Sequence, residues 1–150
     1  MSESFKTKLT RWAFNFWPCF FGTGARITHI AGNWREIRLK IPLSWRTRNY
    51  VGTVYGGSMY GAVDPIYMIM LLKLLGKDYI VWDKAASIEF KKPGRSSLFA
   101  KFALEEEETQ AILEELKANP SIDRFYLVEL TDAEGNVCAT VEKTLYIKRK

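Results

Sequence analysis

"NYVGTVYGGSMYGAVDP", Asn49 to Pro65, leads into the most apolar segment of the 150-residue chain. Its four glycines, Gly52, Gly56, Gly57 and Gly61, loosen the backbone just where "IYMIMLLKLL" (66–75) begins to read as a helix. That run is hydrophobic on every side, so a helix made from it must be covered all round. Gly76 is placed to stop it. Asp64, Pro65, Lys73 and Gly76 bound or interrupt the run, and a bilayer span needs about 20 apolar residues. A buried core helix is the expectation.

Outward from this helix the period changes to two. Ile37, Leu39, Ile41 and Leu43 alternate with Arg38, Lys40 and Pro42, and Arg26 to Ala31 reads as a strand before them. Beyond the helix, Ala86, Ile88 and Phe90 alternate with Ser87 and Glu89, "KKPGR" (91–95) is a turn, and Leu98 to Leu104 is the next strand. Glu105 to Asn119 reads as a helix with glutamates in its first turn, where the helix dipole favours anions. Phe125 to Leu130 and Val137 to Ile147 form a hairpin across "TDAEGN", with Gly135 suited to positive φ. At the N-terminus, Phe5, Leu9, Trp12 and Phe16 fall at helical spacing before Pro18. Docking on the domain's own surface is the expected role of that helix; peripheral membrane contact, or cover for an acyl tunnel, is the alternative. The pattern predicts an α+β chain: residues 1–25 as an amphipathic helix and lead-in, and 26–150 as one antiparallel sheet wrapped around a long helix. A partner subunit would complete the enclosure.

Composition narrows the function classes. The net charge of +5 is scattered, without the basic and aromatic stripe of a nucleic-acid reader, so no nucleic acid is expected. Two cysteines, Cys19 and Cys138, and a single histidine, His29, make neither a disulfide framework nor a zinc site. This usage, with no secretory signal pattern, predicts a cytoplasmic protein without metal or redox cofactor.

The glycine segment resembles the signature of hotdog-fold acyl-CoA thioesterases of the phenylacetate-pathway type. Their pattern is Asn, two residues, Gly, two residues, His-Gly-Gly, six residues, Asp; here it is met by Asn49, Gly52, Tyr55-Gly56-Gly57 and Asp64. "AASIEFKKPGRSSLFAKF" is similar to the family's strand, proline turn and strand, and "LTDAEGNVCATVEKTLYI" to its terminal hairpin. The chain is closest to a poorly characterised branch with an extra N-terminal helix and an inserted acidic helix. The resemblance implies hydrolysis of a fatty or aromatic acyl-CoA or acyl-carrier thioester, with coenzyme A present only as part of the substrate.

The residues of the segment suit that chemistry. The first N–H groups of a helix lack internal partners and sit at its positive end, so Gly57 N–H, next to Gly56, could hold a thioester oxyanion, helped by Tyr55 or Asn49. Asp64 is the candidate general base or nucleophile. It lies about two helical turns, on the order of 10 Å, from Gly57. One chain can hardly bring both to one carbon, so a homodimer or tetramer with shared sites is expected. Pro65 removes a helical hydrogen bond and predicts a kink beside Asp64. Tyr55 stands where the family has histidine, and Asp83 falls near a position where it has Ser or Thr orienting the attacking water. Arg46, Arg48, Lys91, Lys92 and Arg95 are candidates for the coenzyme A phosphates. The alternative is a non-catalytic module that binds an acyl chain or acyl-CoA.

Overall fold

The computed structural model describes residues 1–150. Elements follow in the order α1 (Phe5–Phe16), α2 (Pro18–Gly22), β1 (Arg26–Ile30), β2 (Glu36–Ile41), α3 (Gly56–Val63), α4 (Ile66–Leu75), β3 (Tyr79–Phe90), β4 (Leu98–Ala103), α5 (Glu106–Ala118), β5 (Ser121–Thr131) and β6 (Val137–Arg149). The strands make one six-stranded antiparallel sheet in the order β1-β2-β4-β5-β6-β3. β4 and β5 pair only at Phe99 and Thr131, so the sheet is nearly split at its middle.

The α3–α4 helix touches β2 near one edge of the sheet and β6 and β3 at the other. The sheet therefore curls around the helix, the α+β hotdog architecture that the sequence predicts. Ala62, Val63, Ile66, Met70 and Leu71 on the helix enter one hydrophobic cluster with Ile37, Leu39 and Ile41 of β2, Phe102 of β4, Leu130 of β5, and Val141, Leu145 and Ile147 of β6. The period-2 pattern puts those strand residues on the inner face. By length and hydropathy, Gly56–Leu75 alone could cross a membrane; enclosure by the sheet makes it a core helix instead.

Local signals account for the element ends. Ser4 caps α1 reciprocally with Thr7, Gly76 ends α4 at φ 87°, and Glu106, Glu107 and Glu108 occupy the first turn of α5. In the β5–β6 turn Gly135 has φ 84°, and Asp132 Oδ1 accepts from the N–H groups of Glu134 and Asn136. At the expected kink the helical ladder is interrupted between Val63 and Ile66, although Asp64 and Pro65 both keep right-handed backbone dihedrals. Asp64 N–H still bonds the Tyr60 carbonyl at 2.9 Å, whereas Pro65 has no N–H to give Gly61.

The sheet leaves part of the apolar helix uncovered: Tyr60, Gly61, Asp64, Met68 and Ile69 are half-exposed and Leu72 is exposed. Two expectations need correction. β3 begins at Tyr79, well before Ala86, because a bulge between Asp83 and Ala85 breaks the alternation that marks a strand. The second concerns α1. It docks through the side that carries Thr7, Phe14 and Asn15: Phe14 packs against the core, Asn15 bonds both the N–H and the carbonyl of Ile27, and Glu3, just ahead of the helix, accepts from Ile30 N–H. Phe5, Leu9, Trp12 and Phe16 consequently face solvent. The free edge of β1 offers hydrogen-bonding groups, and only a side that carries polar groups can satisfy them.

Candidate active site

The glycine segment is a loop tied down at both ends. Tyr55 N–H bonds the Thr47 carbonyl at 2.7 Å, and Val54 N–H bonds the Gly94 carbonyl of the proline turn at 2.9 Å. Asn49 organises the middle: its Oδ1 accepts from Val51 N–H and Thr53 N–H, and its amide nitrogen donates to Thr53 Oγ1 at 3.0 Å. Gly52 takes φ 84° inside this loop, a conformation that a side chain would strain. The Asn49 side chain thus shapes the loop from within.

The loop delivers the chain into α3 with no side-chain cap. The first helical bond is from Met59 N–H to the Tyr55 carbonyl, at 3.1 Å. The N–H groups of Gly56, Gly57 and Ser58 make no bond within the chain. This is an anion-accepting helix tip. Aromatic rings cover both glycines. A Cβ at Gly57 would fall 2.3 Å from the Tyr55 ring, and one at Gly56 would fall 2.8 Å from the Phe90 ring. Tyr55 is itself exposed, so its ring lies over the tip from the solvent side.

Beside the tip runs a groove of about 470 Å³ whose apolar floor includes Val54, Met59 and Phe90. Asn49 and Gly56 line it, with Lys91, Lys92 and Arg95 from the proline turn. Three of the five anticipated basic residues thus meet at the glycine segment. Arg48 forms an isolated bridge with Val54 outside the groove lining. Arg46 lies elsewhere, stacked 4.0 Å over the Phe21 ring of α2, which removes it from this group.

Asp64 occupies the helix break, away from that groove. Its Oδ1 accepts from Tyr60 Oη at 2.9 Å and from Lys143 Nζ at 2.8 Å, while Oδ2 makes no bond within the chain. The Asp64 side chain keeps 45% of its surface exposed, and that of Lys143 keeps none. Lys143 also pairs with Asp83 Oδ1 at 2.7 Å, an ion pair without the alignment of a good hydrogen bond. A buried lysine therefore bridges a carboxylate on the central helix and one on β3. Burial pushes the Lys143 pKa down, but the bonds and charges of Asp64 and Asp83 outweigh it and leave the lysine above its ordinary value, hence charged. Burial pushes the Asp83 carboxyl up; Lys143 pulls it back and the neighbouring Asp64 charge adds to the rise. Burial and the bond to Asp64 likewise raise the Tyr60 phenol.

Lys143 was absent from the residues anticipated as functional. A signal for it existed: it falls in phase with Val141, Leu145 and Ile147 on the inner face of β6. Asp83, anticipated near a water-orienting position, is this lysine's second partner. His29 is half-buried on β1 and takes no part in the site.

Solved structures share this fold. A protein of unknown function from Pseudomonas aeruginosa, PA5026, described as a probable thioesterase, superposes with a TM-score of 0.85 at 16% identity over 100% of both chains. The thioesterase HI1161 from Haemophilus influenzae gives 0.70 at 14% identity, over 99% of this chain and 94% of its own. A protein of unknown function from Chlorobaculum tepidum gives 0.74 at 16% identity, over 97% and 95%. No curated protein matches by sequence. The domain of unknown function DUF4442 matches residues 6–147, and the chain belongs to that family.

Proposed function

We propose that this protein hydrolyses acyl thioesters, with coenzyme A as the thiol, and works as a homodimer whose sites are shared between copies. One observation carries the reading: Asp64 is held through one oxygen by Tyr60 and Lys143, its other oxygen makes no bond within the chain, and the side chain reaches solvent. A carboxylate fixed in this way is oriented to take a proton from water. The water attacks the thioester carbon, and the oxyanion is held by Gly57 N–H at the helix tip of the other copy. The tetrahedral intermediate collapses with loss of the thiolate, which takes the proton back from Asp64. The products are a carboxylic acid and a free thiol. Lys91, Lys92 and Arg95 suit the coenzyme A phosphates at the rim of the groove. Thioesterases among the solved structures of the same fold agree with this reading.

Asp64 and the groove beside Gly56 lie apart within one chain, which supports pairing. So does the outer edge of β3, whose residues from Lys84 to Ser87 are exposed with no strand beyond them. The Tyr55 ring over Gly57 favours a second reading, an acyl or acyl-CoA binding module that does not turn over.

Hydrolysis of a panel of acyl-CoAs, by the natural chain and by Asp64→Asn, separates the two. Release of free thiol that falls by about 10²-fold or more in the variant, as loss of a general base requires, supports the enzyme. Undiminished release removes Asp64 from the mechanism, and tight binding without release selects the module.

A further inference from the structure

The first two helices present a surface that the proposed chemistry does not use. Along α1, Phe5, Leu9, Trp12 and Phe16 are 83%, 64%, 57% and 65% exposed, and Trp17 and Phe21 of the following turn are exposed too. Trp12 stacks on Phe16 at 5.9 Å and Phe16 on Phe21 at 6.5 Å, so the rings form one continuous ridge. The helix cannot roll over to hide this ridge, because Phe14 on its opposite side packs against the core and Asn15, with Glu3 just ahead of the helix, bonds the edge of β1.

Cations frame the ridge. At 3.6 residues per turn, Lys6 and Lys8 lie on opposite flanks of the Phe5–Phe16 stripe, and both are exposed. Trp12, Phe16 and Phe21 line one wall of a groove of about 420 Å³, to which Arg26 and Arg46 also contribute. Neither Arg26 nor Arg46 makes an ion pair; the Arg46 guanidinium stacks on the Phe21 ring and donates to the Phe21 carbonyl. No carboxylate lines the groove.

We propose that this face is a docking site for an anionic phospholipid surface, with the aromatic ridge entering the acyl boundary and Lys6, Lys8, Arg26 and Arg46 meeting lipid phosphates. Aromatic residues flanked by lysine and arginine are the pattern of helices that lie in the plane of a membrane interface. The charge decides between occupants. A second copy docked symmetrically on this face would set these cations against their own images, whereas a phosphate-rich surface neutralises them. The proposal is independent of thioester hydrolysis.

The test is flotation of the full chain with phosphatidylcholine vesicles, with and without phosphatidylglycerol, at low and high salt. The expected result is binding to the phosphatidylglycerol vesicles that weakens with salt. Trp12→Glu with Phe16→Glu should weaken it by at least about tenfold. Arg26→Glu should weaken it by about fivefold and leave the residual affinity less salt-dependent. Thermal unfolding of each variant, unchanged at these exposed positions, shows that the fold survives. No binding to either vesicle, or equal and salt-independent binding to both, overturns the proposal. So does self-association in sedimentation that Trp12→Glu with Phe16→Glu abolishes while vesicle binding is absent.

Discussion

Gly57 and Tyr55 are coupled by contact. A side chain at position 57 must displace the Tyr55 ring, which is exposed and can swing away at little cost to the fold. Gly57→Ala is therefore expected to change stability by less than about 1 kcal/mol while perturbing substrate handling at the tip. Adding Tyr55→Ala should restore part of the loss, and a double-mutant cycle on kcat/KM measures that coupling. Lys143 behaves differently because it is wholly buried between two carboxylates. Lys143→Met leaves both partly exposed carboxylates without their cation and should destabilise the fold by about 1–3 kcal/mol, with partial recovery on adding Asp83→Asn. Since the folded state raises the lysine pKa above 10.5, it holds that proton more tightly than the unfolded chain does. The stabilisation is complete below that ordinary value and is lost as pH rises through the raised one. Thermal unfolding in the alkaline range should show this loss in the natural chain and much less of it in Lys143→Met.

At the scale of elements, α1 is held to the domain by polar bonds to β1 and by Phe14 packed against the core. Asn15→Ala removes the partners of both backbone groups of Ile27 and should cost about 1–3 kcal/mol. Faster hydrogen exchange at Ile27 would localise the effect. These contacts also explain what the sequence could and could not reveal. The helix break at Asp64–Pro65, the stop at Gly76 and the turn at Gly135 depend on the chemistry of one or two adjacent residues and were legible. The side on which α1 docks depends on the unpaired edge of β1, a tertiary fact that an apolar stripe of helical period does not contain. The bulge between Asp83 and Ala85 hides the period of β3, so only the second half of that strand alternates visibly in the sequence. Lys143 falls in phase with the inner-face residues of β6, but its partner Asp64 lies 79 positions away, and no local pattern joins the two. The motif marks Asn49, Gly57 and Asp64; the loop bonds of Asn49 and the anchoring of Asp64 are tertiary contacts that no motif spacing contains.

Across the whole molecule, the two sheet edges are treated differently. That of β1 is closed by α1, whereas that of β3 lies open. The central helix also leaves Tyr60, Asp64 and Met68 half-covered. An open edge and a half-covered apolar helix are the features that a second copy can bury. Pairing there would let the unbonded helix tip of one copy and the free oxygen of Asp64 of the other serve one carbonyl. Subunit mixing tests this most directly, using Asp64→Asn and Gly57→Val homodimers that are each inactive. If sites are shared, random exchange makes half of the dimers mixed, each with one intact site, and acyl-CoA hydrolysis should recover to about a quarter of the natural rate. Exchange confirmed by mass spectrometry with no recovered hydrolysis would contradict the account.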